Sequence, residues 1–252
     1  MHHFASMEEK LNFSVMPKNY IMYVMNKKEM PHYIGHRRRL RKKLMENGLN
    51  GLHEYEIIEL LLTFSIPYKD VKPIAKELLE KFGSLSKIFD ATPEELTKTK
   101  YIKNNSIELI KFIKEVSILY HMQKAQNAPI SQTREELIEY CIQNIGSKKD
   151  EEFRVISLNT DLCMISDDLV SLGTIDRSAV YPRKVMEIAV KRKAFAIILV
   201  HNHPDGHPEP SEEDITVTKA LEIPAQILNI KIYDHLIISQ GNYFSFWENK
   251  IL

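Results

Sequence analysis

The stretch ILVHNHPDGHPEPSEED, residues 198–214, brings His201, His203 and His207 close to Ser211 and Asp214. Imidazole nitrogen and carboxylate oxygen are ligands that zinc takes at about 2.0–2.1 Å, and a catalytic zinc site uses three protein ligands with water in the fourth place. In an extended strand residues i and i+2 point to one side, so His201 and His203 at the mouth of FAIILV converge while Asn202 faces away. Asp214 supplies the carboxylate. Ser211 has the type and place of an N-cap, which puts Asp214 at N3 in the first turn of a helix, and the Pro/Gly loop PDGHPEP folds that turn back toward the strand end. A second reading stands beside this one: Ser-Glu-Glu-Asp is a plain capping arrangement and His-Asn-His-Pro a polar strand end. A lone His-x-His selects nothing; joined to a rigid loop and a carboxylate at a helix start, it becomes a specific pattern.

Other polar residues rank lower. His207 sits in a loop of a solvated type, and His235, in the last long strand, reads as a hydrogen-bonded core or site-wall histidine rather than a fourth ligand. Cys163 lies among Leu162, Met164 and Ile165, where packing is favoured over ligation. Arg183 at a helix start has two readings, contact with a substrate or carboxylate across the site, or a structural salt bridge. Trp247, with Phe244 and Phe246, is expected to close the core edge.

The elements that must hold this site are legible as alternating patterns. EEFRVISLN, LCMISDDLVSLG, KAFAIILV and KIYDHLIIS are rich in β-branched and aromatic residues, and RSAVYPRKVMEIAVKRK and SEEDITVTKALEIPAQILN separate them as helices. Pro224 predicts a break or kink at about residues 222–223. Upstream the pattern is helical only. Leu40 and Leu44 are spaced i,i+4, YEIIELLLTF is an apolar segment, and Ile74, Leu78 and Phe82 share a face that ends at Gly83. Thr92, Pro93 and Glu95 form a capping box, and a helix from Ile107 to about Lys124 places Leu109, Ile113, Val116 and Tyr120 on one side. AQNAPISQ loses the period, and Thr133-Arg-Glu-Glu136 caps the next helix. The expected organisation is an extension over 1–33, a helical domain over 34–124, a linker over 125–132 and an α/β domain over 133–252.

Composition narrows the function classes. Hydrophobic residues at 44% and charged residues at 27% describe an ordinary globular protein, and 34 basic residues balance 34 acidic ones, so any preference for nucleic acid must be local. No apolar run reaches the roughly 20 residues of a membrane helix, and no secretory pattern opens the chain; a cytoplasmic protein without membrane contact is expected. Cys141 and Cys163 are too few for a disulfide framework and are read as buried free thiols.

His201-x-His203-Pro, then Ser211 and Asp214, reads HxHPx(6)SxxD and resembles the JAMM (MPN-type) metalloprotease signature. With Gly173-Thr174, Tyr181-Pro182-Arg183 and Tyr233-Asp234-His235, and with GHRRRLRKKL and IPYKDVKPIAKELLEKFGSL upstream, the chain resembles the bacterial RadC family from about Pro31 to its end. The resemblance implies an α/β JAMM domain, cytidine-deaminase-like with a mixed sheet, behind an all-α helix-hairpin-helix-like domain. It implies that His201, His203 and Asp214 hold Zn2+, that Ser211 hydrogen-bonds near the zinc-bound water or the developing oxyanion, and that a glutamate on an earlier strand takes a proton from that water. The family pattern of Glu, any residue, aromatic assigns this base to Glu151, two positions before Phe153, with Glu152 as the alternative. Amide hydrolysis of a protein or peptide substrate follows as the expected reaction.

The alternative function is that of a DNA-repair-associated nucleic-acid-binding protein whose zinc site is structural or vestigial. Arg37, Arg38, Arg39, Arg41, Lys42 and Lys43 form a basic run that could attract phosphate, or simply a solvated helix face. Where related hairpins carry Gly-Ile-Gly, this sequence has Tyr101-Ile102-Lys103 followed by Asn104 and Asn105, and side chains with a Cβ obstruct a close backbone–phosphate approach.

Overall fold

The computed structural model describes residues 33–67, 69–173 and 182–252. The expected extension over 1–33, apart from its last residue, and Thr174 and Tyr181 of the family pattern lie outside the described residues. The chain divides into two compact units between Leu109 and Ile110.

The first unit is all helical among the described residues. It contains α1 (Tyr33–Asn47), a short 3-10 turn (Leu49–Gly51), α2 (Glu54–Ser65), α3 (Lys72–Phe82), α4 (Leu85–Asp90), α5 (Pro93–Thr97) and the start of α6 (Asn104–Gln126). Leu40, Leu52 and Leu60 are buried together with Leu44 and Ile57 against them, and Ile74 and Leu78 are buried on α3. The capping box at α5 is present: Thr92 Oγ1 accepts from the Glu95 N–H at 3.2 Å and Glu95 accepts from the Thr92 N–H at 2.8 Å. The basic run on α1 is largely committed within the unit. Arg37 donates to the carbonyls of Ile66 and Lys69, Arg41 lies over Phe64, Lys42 pairs with Glu46 and Lys43 with Glu56, while Arg38 and Arg39 are exposed.

Gly83 ends α3 at φ 85°, with open space where a Cβ would stand. Gly83→Ala therefore meets no clash and pays only for the left-handed backbone, an expected loss of about 1–2 kcal/mol. Urea unfolding followed by circular dichroism measures it.

The second unit continues α6 and adds α7 (Ile130–Ile145), β1 (Glu152–Leu158), β2 (Met164–Leu172), α8 (Pro182–Lys191), β3 (Ala196–Asn202), α9 (Glu212–Ile227), β4 (Lys231–Ser239) and β5 (Asn242–Ser245). The sheet is mixed, in the order β2-β1-β3-β4-β5, with β3 and β4 parallel and the other neighbours antiparallel. A parallel pair requires a crossover connection, and α9 is that crossover. β3 is the central strand and is buried along its whole length, as the unbroken apolar run FAIILV requires. Ile198 and Val200 join Ile156, Leu236 and Leu137 of α7 on one face, and Ile197 and Leu199 join Phe153, Val155 and residues of α8 and α9 on the other.

Several expectations are corrected here. On α6 the buried apolar residues are Ile107, Ile110 and Ala125, with Ile118 and Met122 packed against the core, whereas Ile113, Val116 and Tyr120 are exposed. IELIKFIKEVSILYHM is apolar around most of its circumference, so periodicity could not choose the face. The segment 125–132 holds the end of α6 and the start of α7, with only residues 127–129 between them. α7 begins at Ile130 and kinks at Thr133, whose hydroxyl donates to nearby carbonyls at Ala125, Ala128 and Pro129 instead of capping a helix. α9 runs through Pro224 to Ile227. The carbonyl four residues back belongs to exposed Ala220, where water can replace the lost N–H donor. Cys163 precedes β2 and is half-buried rather than packed in a strand. Trp247 is 53% exposed beneath the Arg134 guanidinium, and it is Phe246 that is buried.

Candidate metal centre

His201 and His203 leave the C-terminal end of β3, and Asp214 stands in the first turn of α9. Their donor atoms meet. His201 Nε2 lies 3.0 Å from His203 Nε2 and 3.1 Å from Asp214 Oδ1, and His203 Nε2 lies 3.4 Å from Asp214 Oδ2. Ligands on a tetrahedral zinc at about 2.0–2.1 Å sit roughly 3.3–3.4 Å apart, so the two imidazole nitrogens are already spaced from each other, and each from one oxygen of the Asp214 carboxylate, much as neighbours on one metal are. These are the residues that form a metal-capable group among the described residues.

Local structure explains the placement. Ser211 caps α9: its Oγ accepts from the Asp214 N–H at 3.2 Å, and its own N–H and O–H donate to Asp214 Oδ2, each at 2.7 Å. The hydroxyl thus holds the carboxylate that faces the histidines. His203 is fixed by backbone bonds at both ends of its neighbourhood, its N–H to Ile238 O and its carbonyl to Ser239 Oγ, both at 2.8 Å. Its Nδ1 meets the His207 carbonyl at 2.8 Å; a carbonyl only accepts, so Nδ1 carries the proton and neutral His203 keeps its lone pair on Nε2. His207 contributes this main-chain oxygen while its side chain stays exposed.

The charges are strongly coupled. Burial alone would raise the Asp214 carboxyl, but bonds from His201 and His203 in their doubly protonated, charged forms and from Ser211 outweigh it and draw the group far below the usual carboxylate range. The bond to Asp214 raises His203 against the opposing effect of burial.

Glu151 and Glu152 part company at the start of β1. Phe153 is paired with His201 across the sheet and stacks on its ring, with centroids 5.8 Å apart and an interplanar angle of 14°. Glu152, one residue before, turns to the opposite face, where it is buried and binds Lys148 at 2.6 Å and Arg154 at 2.9 Å. Glu151 precedes the strand with the parity of Phe153, its carbonyl accepting from Gly173 N–H at 2.9 Å.

Two further groups escaped sequence reading. Asn202, pointing away from His201 as expected, accepts the Glu152 N–H at 2.8 Å and donates to the carbonyls of Lys148 and Asp150. It pins the backbone on either side of Glu151. Thr218, on α9, bonds to His235 at 2.7 Å, and His235 in turn meets His201 Nδ1 at 2.9 Å. Neither contact has a local sequence signal. Arg183 is exposed on α8, and Cys163 takes no part in the group.

A mixed sheet whose central strand ends in His-x-His, completed by an aspartate from the crossover helix and preceded by a helical unit, defines a RadC-like JAB protein. Residues 131–251 match the RadC-like JAB domain and residues 32–107 match the UPF0758 N-terminal domain. A UPF0758 protein of Fusobacterium nucleatum is 37% identical over 225 residues, covering 86% of this chain and 97% of that protein. Another from Ruegeria pomeroyi is 36% identical over 218 residues (86% and 97%), and one from Rhodobacter capsulatus is 33% identical over 213 residues (84% and 100%). The chain belongs to the UPF0758 family, the RadC family. Among the described residues no helix is long and apolar enough to cross a membrane.

Proposed function

We propose that this chain is a zinc-dependent hydrolase of JAMM type that cleaves amide bonds in a protein or peptide substrate. The observation that carries the reading is the convergence of two imidazole nitrogens, 3.0 Å apart, on one carboxylate, whose Oδ1 lies 3.1 Å from His201 Nε2 and whose Oδ2 lies 3.4 Å from His203 Nε2, at the end of the central strand. Two imidazoles and one carboxylate form a three-ligand set, and a three-ligand site leaves a position for water, whereas a structural zinc is normally closed by four protein ligands. When bound, zinc would lower the pKa of its water toward about 7 and polarise a substrate carbonyl.

The chain's own residues divide the remaining work. His201, His203 and Asp214 are the ligands. Glu151 is the general base that takes the water's proton and returns it to the leaving amine. Ser211 holds the Asp214 carboxylate in place and presents its hydroxyl beside the site. Phe153, stacked on His201, keeps water from one side of that ring.

Elemental analysis of the freshly purified full chain should find about one zinc per molecule, and zinc titration of chelator-treated protein should refill the same single site. Failure to hold zinc in both measurements overturns the reading. Comparison of peptide products in extracts treated with wild type or with a base-deficient variant then identifies the substrate.

A further inference from the structure

Behind His201 lies a run of contacts that ends on a group unable to donate. His201 Nδ1 meets His235 Nε2 at 2.9 Å, His235 Nδ1 meets Thr218 Oγ1 at 2.7 Å, and Thr218 Oγ1 meets the main-chain carbonyl of Asp214 at 2.6 Å. From the carbonyl backward, each step fixes the next. The Asp214 oxygen has no proton, so the threonine must donate its single one there. Thr218 can then only accept from His235, which puts the proton of His235 on Nδ1. His235 is fully buried, with Phe246 stacked at 4.7 Å and the edge of Phe153 at 5.8 Å, and its two nitrogens face an imidazole and a hydroxyl, so the ring sits neutral in this apolar setting. Its Nε2 therefore bears a lone pair and accepts from His201 Nδ1–H.

We propose that Thr218 and His235 are a positioning pair that sets the tautomer and ring orientation of His201, leaving its Nε2 lone pair turned toward the metal. The inference rests on the metal reading for its purpose but not for its geometry. Asp214 enters twice, once through its carboxylate as a ligand and once through its carbonyl as the terminus that orders the protons. The two ligands are thereby joined by a route that does not pass through the metal, across β4 and one turn of α9. The reverse ordering would set two lone pairs against each other at 2.6 Å between Thr218 and Asp214.

Thr218→Val keeps the shape of the side chain and removes both hydroxyl bonds. His235 then has no acceptor at Nδ1 and shifts its proton to Nε2, which drives the proton of His201 onto the very nitrogen that would bind metal. Thr218→Ser restores the hydroxyl. Long-range proton–nitrogen spectra of metal-free, histidine-labelled full chain should show wild-type His235 protonated on Nδ1 and the valine variant protonated on Nε2. Zinc affinity by chelator competition should fall about 10–100-fold in Thr218→Val and return in Thr218→Ser. A wild-type His235 protonated on Nε2 overturns the proposal, as does a valine variant that binds zinc as tightly as wild type. If wild type takes up no zinc, the metal reading fails while the tautomer measurement still decides the pair. If the valine variant does not fold, the wild-type spectrum decides it.

Discussion

Asp214→Ala is expected to lower zinc affinity by roughly 10²–10³-fold. Structural zinc sites bind with about 10–16 kcal/mol over four ligands, so one ligand accounts for about 2.5–4 kcal/mol. Two imidazoles would remain, too few to hold the ion against a chelator. The variant should still fold, because the backbone N–H at position 214 that reaches Ser211 Oγ does not depend on the carboxylate. Chelator competition, with circular dichroism as the control for folding, reads the effect. An alanine variant with wild-type affinity would remove Asp214 from the ligand set.

Glu151→Gln should do the opposite: metal retained and hydrolysis reduced by about 10²–10⁴-fold, the range that positioned general bases contribute. The amide keeps the size of the carboxylate and cannot accept the proton. Glu152→Gln is the matched control. Its carboxylate is engaged by Lys148 and Arg154 on the far face of β1, so its loss should weaken the fold around that cluster while leaving the chemistry in place. Turnover that falls for Glu152→Gln and survives Glu151→Gln would reverse the assignment. Product formation and zinc content, measured on the same preparations, separate the two.

The parts of the molecule that were legible in the sequence are those whose signals are local. His201 to Asp214 is a single strand, loop and helix start, and its capping box needs only the identities of Ser211 and Asp214. Runs rich in β-branched and aromatic residues also placed four of the five strands of the mixed sheet, whereas the short β5 was not read as one. What escaped depends on which strands lie side by side. Asn202 is informative only once β3 is paired with β1, because its bonds go to a backbone about fifty residues away. Thr218 and His235 meet because β4 lies parallel to β3 beneath α9, and an isolated threonine in a helix carries no mark of it. α6 misled for another reason: with apolar residues nearly all round, its buried side is chosen by what packs on it.

That helix has a practical consequence for anyone who cuts the protein. The RadC-like JAB match begins at residue 131, beyond α6 and past the first residue of α7. A fragment started there would discard Ala125 and Ile130, both 2% exposed, the Ile118 and Met122 side chains that pack on the same core, and all three carbonyls that receive the Thr133 hydroxyl. It should be prone to aggregate through the uncovered face of α7. A fragment started at Ile110 keeps that cover and is the shorter piece expected to stand alone with the metal centre intact.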